Sequence, residues 1–92
     1  MKTGTIYYAN SSYIHYKVGN GNWTSTPGMQ MTKTSEKSGY TWKYEIEVED
    51  ENPQATVCFN DGSGNWDSKH GENYIITSSV AGIKDGKVNL EV

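Results

Sequence analysis

The stretch Tyr-Thr-Trp-Lys-Tyr-Glu-Ile-Glu-Val-Glu, residues 40–49, decides the fold class. Aromatic or aliphatic residues alternate in it with polar ones, which is the period of a β-strand with one buried and one solvated face. Trp42 is therefore predicted to lie on the buried face. The row of glutamates on the other face is typical of solvent exposure rather than of a catalytic cluster.

Shorter segments on both sides of this stretch show similar patterns. In residues 13–18 the alternation places Ile14 inward and His15 outward. Met29 and Met31 are predicted to share one face of a short edge strand. The predicted strands are residues 4–9, 13–18, 29–31, 40–49, 54–60, 74–76 and 87–92, whereas residues 80–86 are interpreted as glycine-containing connection and turn. Gly- and Asn-rich turns between short strands, without helical periodicity, predict an all-β sandwich.

Composition excludes several classes of partner. The 92 residues carry a net charge of −3, and every basic residue is a lysine, so the basic stripe that nucleic acid requires is absent. The sequence contains no apolar run of about 18 residues, so we predict no membrane partner. Cys58 has no second cysteine to pair with and is interpreted as a small residue on the second face of its strand.

Catalytic and metal chemistry have little support in this sequence. Asp61 and Asp67 are the best candidates for a pair of catalytic carboxylates, but both stand among turn formers, where aspartate commonly bonds the backbone. His15 and His70 lack the spacing of a zinc site. We therefore predict no catalytic residue, no metal site and no cofactor.

Three aromatic rings are not predicted to lie in the core. Trp23 and Trp66 each follow the dipeptide Gly-Asn, and His15 points outward from its strand. Exposed rings suit sugars, because the apolar C–H face of a pyranose packs on the face of an aromatic ring. They also suit a protein partner, so an immunoglobulin-like domain that binds another protein through the same rings is the alternative hypothesis.

The motifs Tyr-Ile-His-Tyr (13–16), Gly-Asn-Trp-Thr (21–24), Pro-Gly-Met (27–29) and above all Phe-Asn-Asp-Gly-Ser-Gly-Asn-Trp-Asp-Ser (59–68) resemble a starch-binding carbohydrate-binding module of family 25. The resemblance implies an immunoglobulin-like antiparallel β-sandwich without catalytic activity over residues 1–92. It implies binding of α-1,4-glucans such as starch, amylose, amylopectin and maltooligosaccharides. It also implies a monomeric module within a larger, starch-degrading protein.

The family's binding platform of one histidine and two tryptophans matches His15, Trp23 and Trp66. Asn60, Asn65 and Asp67 are predicted partners for sugar hydroxyls, although each could instead only shape its loop. Because starch is too large to enter a cell, an extracellular or cell-surface location is expected.

Overall fold

The part of the chain that the structure describes contains ten short strands, joined by turns and loops. The computed structural model describes residues 2–48, 54–69 and 71–91, and these contain no helix, hence none that could span a bilayer. Met1, residues 49–53, His70 and Val92 lie outside the described residues. The strands are β1 Lys2–Tyr8, β2 Tyr13–Val18, β3 Met29–Gln30, β4 Thr32–Lys33, β5 Trp42–Val48, β6 Ala55–Asn60, β7 Trp66–Asp67, β8 Tyr74–Ile76, β9 Val80–Lys84 and β10 Lys87–Glu91.

The strands form two sheets. The first has the order β10-β9-β1-β5-β4, and the second has the order β3-β2-β6-β7 with β8 also paired to β6. This confirms the predicted all-β sandwich. Antiparallel pairing holds among the described strands with one exception, since β1 and β9 run parallel.

The core lies between the sheets and follows the alternation read from the sequence. In β5, Ile46 and Val48 are buried while Glu45 and Glu47 are exposed, and Trp42 packs against the core as predicted. Tyr8 stacks on Phe59 across the sandwich, with ring centroids 3.7 Å apart. The buried cluster comprises Ile6, Tyr8, Ile14, Met31, Ile46, Val48, Ala55, Val57, Phe59, Tyr74, Ile76, Ala81 and Ile83.

The prediction that Met29 and Met31 share a face is wrong. Met29 pairs with Ile14 in the second sheet and is exposed, whereas Met31 is buried in the core. The chain crosses from the second sheet to the first at this point, because Gln30 ends β3 and Thr32 begins β4. Met31 therefore spans the gap between the sheets, and the strand alternation does not continue through it.

Three strands, β4, β7 and β9, lie outside the segments that the sequence predicts as strands. β9 occupies part of the segment interpreted as connection, yet it is buried between β1 and β10. A strand buried on both faces need not alternate, and Gly82 within it reads as a turn former. β7 has only Trp66 and Asp67, which pair with Asn60 and Phe59 at the end of β6.

The outer face of the second sheet carries the predicted aromatic residues. Ile14 is fully buried, and Tyr16 and Val18 pack against the core, so the intervening His15 and Lys17 lie on the opposite face, as predicted. In register, His15 is opposite Cys58 and Lys17 is opposite Thr56. Trp66 lies on the same face, in the strand that pairs with β6 on the side away from β2. Its partner Asn60 is two residues from Cys58, so both side chains point to the outer face, and Trp66 points there with them.

Candidate functional site

His15, Trp23 and Trp66 converge on this outer face, and we call them the aromatic platform. The ring of Trp23 stacks on His15, with centroids 4.8 Å apart and planes 19° from parallel. The ring of Trp66 meets His15 at 5.6 Å and 75°. The two indole planes are therefore steeply inclined to one another, with the imidazole between them. Trp23 remains 36% exposed and Trp66 45% exposed, so both offer surface to a ligand.

Trp23 is held over β2 by its own loop. The backbone N–H of Thr24 donates to the carbonyl of Tyr16 at 2.9 Å, and the N–H of Tyr16 donates to Thr24 Oγ1 at 3.2 Å. Thr24 Oγ1 also lies 2.9 Å from Nδ1 of His15, which fixes the plane of the imidazole. Lys17 Nζ lies 5.8 Å from the centroid of the Trp23 ring, a cation–π distance.

The end of this loop passes very close to β2. Gly28 has a φ of +106°, and a Cβ there would lie 2.2 Å from the carbonyl oxygen of Ile14. No other residue fits that approach without moving the backbone. Glycine at position 28 therefore lets the loop seat itself beside the platform.

Trp66 is positioned by a compact loop at residues 61–65. The Asp61 carboxylate accepts hydrogen bonds from the Ser63 N–H at 2.8 Å and the Asn65 side-chain amide at 2.6 Å. These bonds, first that of the Asn65 side chain, hold the pKa of Asp61 below its usual value. The loop thus closes on itself and returns the chain to β6 at Trp66.

Asp67 joins the two sheets beneath the platform loop. Its carboxylate accepts a hydrogen bond from the hydroxyl of Tyr74 at 2.7 Å and another from the hydroxyl of Tyr8. Burial, followed by the hydrogen bond to this carboxylate, raises the pKa of both tyrosines. Asp67 is therefore firmly engaged in structure, although it also lines an open groove at this end of the sandwich.

Asn60 does not lie where the sequence prediction places it. The side chain is only 1% exposed, its amide donates to the carbonyl of Pro27 at 2.7 Å, and its oxygen accepts from the N–H of Gly62 at 2.7 Å. An amide committed to two loops in the interior has no surface for a sugar hydroxyl. Its observed role is the second one considered from the sequence, which is to shape the loops around the platform.

Asn65, unlike Asn60, is exposed, and it directly precedes Trp66. Its predicted contact with a sugar hydroxyl stays a prediction. Its side-chain nitrogen donates to Asp61, and no described residue donates to its amide oxygen. Cys58 lies opposite His15 and is buried, on the second face of β6 as interpreted from the sequence. Burial, with a smaller contribution from the charge of Asp67, raises the pKa of its thiol to about 11, so the thiol is not a nucleophile.

Comparison with known proteins identifies the family. Residues 1–92 match the family described as a carbohydrate binding domain (family 25). The chain belongs to carbohydrate-binding family 25. The family consists of non-catalytic binding domains, so this domain binds carbohydrate and does not itself cleave it. The resemblance stated from the sequence motifs is thereby confirmed.

Similar proteins show how family 25 domains occur. The solved structure of an iodinated CBM25 from a Bacillus halodurans amylase in complex with maltotetraose is 39% identical, with a TM-score of 0.84, and the alignment covers 99% of this chain and 97% of that chain. A Paenibacillus polymyxa beta/alpha-amylase is 38% identical over 85 residues, which are 89% of this chain but 7% of the amylase. A Niallia circulans beta-amylase is 42% identical over 80 residues, 84% of this chain and 13% of that protein. The family 25 domain thus spans a small part of these curated relatives.

The family 25 domain contains one site residue that the sequence analysis missed. Thr24 contacts His15 directly and connects the Trp23 loop to β2. A threonine in a polar loop has no distinctive pattern, and the one sequence signal that could have indicated Thr24 is its position directly after Trp23. In the described residues, no group of three or more His, Cys, Asp or Glu side chains is placed to hold a metal ion.

The stability of the family 25 domain should depend on the protonation of His15. Burial lowers the pKa of His15 from its ordinary value of 6.5 by disfavouring the imidazolium. As pH falls, the unfolded chain therefore takes up the proton on His15 before the folded domain does. The free energy of unfolding is unaffected by His15 above the unfolded pKa, and it decreases as pH falls below that pKa. We expect the wild type to lose stability relative to His15→Gln between about pH 7 and pH 5, in denaturant unfolding at each pH.

The design of that comparison removes the contribution of the second histidine. His70 is present in both chains, so its titration cancels in the difference between them. A difference in unfolding free energy that does not change across this pH range would contradict the prediction.

Proposed function

We propose that this family 25 domain binds α-1,4-glucans through the aromatic platform of His15, Trp23 and Trp66. The observation that carries the proposal is the convergence of the three rings on one outer face, with both indoles substantially exposed. Each indole can pack against the apolar face of a glucose unit, while the hydroxyls at the sugar's rim stay in water or reach polar side chains.

The angle between the rings favours a curved ligand. An α-1,4-linked glucan bends along its length, whereas a β-1,4-linked chain is flat and would suit coplanar rings. The imidazole of His15, fixed by Thr24, forms the floor between the two inclined indoles. Asn65 is placed beside Trp66 and offers its amide oxygen to a sugar hydroxyl.

The affinity of one such domain is expected to be modest. A shallow, wet site with few buried polar groups gives a Kd between roughly 10 μM and 1 mM. We propose that residues 1–92 form one module of a larger, starch-degrading or starch-adhering protein, in which tandem copies would raise the avidity for granules. The relatives, which are amylases, support a location outside the cell, on the cell surface or in the medium.

Titration of the isolated domain with maltoheptaose, followed by heat and by tryptophan fluorescence, tests the proposal. We expect saturable binding to maltoheptaose and none to cellohexaose at the same concentrations. If a folded domain binds neither sugar or binds both equally, the proposal is wrong, and the exposed rings then become candidates for a protein interface.

Replacement of Thr24 by valine should weaken binding without unfolding the domain. Thr24→Val keeps the shape of the side chain but removes the oxygen that fixes His15 and accepts from Tyr16. We expect the affinity for maltoheptaose to fall roughly threefold to tenfold, in line with the loss of about one net hydrogen bond. Thr26→Val is the matched control, because Thr26 is exposed in the same loop. Equal affinities of the two variants in calorimetry would argue against a role for Thr24.

A further inference from the structure

An open groove adjoins the aromatic platform at one end of the sandwich, and we call it the end groove. It has a volume of about 530 Å³ and reaches from Trp66 in the second sheet to Gly86 in the turn between β9 and β10 of the first. That volume is within the range of about 300–1,000 Å³ that is typical of small-molecule sites. The proposed function uses the platform and Asn65, and it leaves the rest of this groove unexplained.

Polar side chains of several kinds line the end groove. Asn10 and Ser11 come from the connection between β1 and β2, while Asp67 and Lys69 come from β7 and the turn after it. Together they offer an amide, a hydroxyl, a carboxylate and an ammonium group, which between them can donate to and accept from sugar hydroxyls. A groove of mixed polar groups beside one tryptophan has the chemistry of a carbohydrate site.

The floor of the end groove is preorganised. The Asp67 carboxylate is fixed by the hydroxyls of Tyr8 and Tyr74, both of which are buried. The backbone N–H of Lys69 also donates to it, at 3.4 Å. A carboxylate has about four lone-pair sites, so these three donors leave it able to accept a further hydrogen bond. A fixed acceptor loses little conformational entropy when a ligand binds, which favours binding.

Trp66 connects the two sites. Its ring contacts His15 of the platform, and it also lines the end groove together with its neighbour Asn65. We infer that the end groove is a second set of glucose subsites, in which an α-1,4-glucan that is bound on the platform continues past Trp66. This inference rests on the proposed function, because it extends the same chain from the same platform.

A competing path for the ligand runs along the outer face of the second sheet. Beyond His15 and Cys58 that face presents Lys17, Thr56 and Ile75 in one row. Ile75 is 55% exposed but has no hydrogen-bonding group on its side chain, so this row offers the hydroxyl of Thr56 and the ammonium group of Lys17, which already lies 5.8 Å from the Trp23 ring. The end groove offers more polar partners to glucose, and it turns around the edge of the sandwich as a curved chain does.

The test compares a short and a long ligand in two variants. The double variant Asn10→Ala/Lys69→Ala removes two polar groups of the end groove, and neither residue belongs to the aromatic platform. We expect its affinity for maltoheptaose to fall about threefold to tenfold while its affinity for maltotriose stays unchanged. Ile75→Ala, the matched control on the competing path, should change neither affinity. A longer chain can place several different glucose units on the platform, which raises its affinity for every variant by the same factor. Each variant is therefore compared with the wild type at one ligand length.

Chemical-shift mapping on the unmodified domain tests the inference without any substitution. Maltoheptaose, but not maltotriose, should shift the backbone amides of Asn10, Ser11 and Gly86. If long-chain shifts appear at Thr56 and Ile75 instead, or if the double variant loses affinity equally for both ligands, the end groove is not a subsite. Failure of both maltotriose and maltoheptaose to bind would overturn the proposed function, and that outcome is distinct from the loss of the length effect alone.

Discussion

Trp66→Ala should weaken maltoheptaose binding by roughly 30-fold or more while leaving the domain folded. The loss corresponds to about 2 kcal/mol, and we take its scale from the 1–3 kcal/mol, roughly, that a nucleobase loses when the aromatic side chain it stacks on is replaced by alanine. The substitution removes one of the two inclined indoles, the edge contact with His15 and one wall of the end groove. With a starting Kd of roughly 10 μM to 1 mM, such a loss brings binding near or below the detection limit of calorimetry.

The fold should tolerate this substitution. Trp66 is 45% exposed, and its backbone pairing with Asn60 does not depend on the indole. Calorimetry is the appropriate binding assay, because the variant lacks one of the fluorescent reporters. Ile75→Ala is the control: it also truncates an exposed apolar side chain on the outer face of the second sheet, and it should bind maltoheptaose like the wild type. A folded Trp66→Ala domain that binds maltoheptaose within threefold of the wild type would refute the platform.

The sequence predicts those parts of the fold in which one face of a strand is buried and the other is solvated. β5 and β2 belong to this class, and their alternation correctly placed Trp42 toward the core and His15 outward. β9 could not be predicted in this way. It is covered on both faces and contains Gly82, so its residues need not alternate. Its parallel pairing with β1 depends on the whole topology and has no local signal.

The sequence indicates which rings of the candidate site are exposed, but it does not indicate the roles of residues that depend on hydrogen bonds between loops. Tryptophans that follow Gly-Asn and a histidine on the polar side of a strand are visible in the sequence alone. Asn60 resembles a loop residue that is free to meet a ligand. Its amide nitrogen, however, donates to the carbonyl of Pro27, and its amide oxygen accepts from the N–H of Gly62. The importance of Thr24 likewise depends on the return of its loop to β2, a contact across eight residues.

Asp67→Ala should lower the free energy of unfolding by about 2–5 kcal/mol, the largest stability effect that we expect of any polar substitution in this domain. The buried hydroxyls of Tyr8 and Tyr74 both donate to this carboxylate, and its loss leaves both without their acceptor in the interior. Each unsatisfied buried hydroxyl costs about 1–3 kcal/mol. Because single domains are stable by only about 5–15 kcal/mol, denaturant unfolding at neutral pH will resolve the change clearly.

A control within the same loop and a mutant cycle separate this mechanism from a general disturbance of the chain. Asp61 is exposed, and among the described residues it bonds only members of its own loop, so Asp61→Ala should cost less than about 1 kcal/mol. In a Tyr8→Phe/Tyr74→Phe background no hydroxyl remains to be stranded, and the same Asp67→Ala change should then be far less costly. If the cost of Asp67→Ala is the same with and without the two hydroxyls, the carboxylate does not stabilise the sandwich through them. A smaller cost in the double variant would show that Asp67 stabilises the sandwich by accepting hydrogen bonds from Tyr8 in the first sheet and Tyr74 in the second.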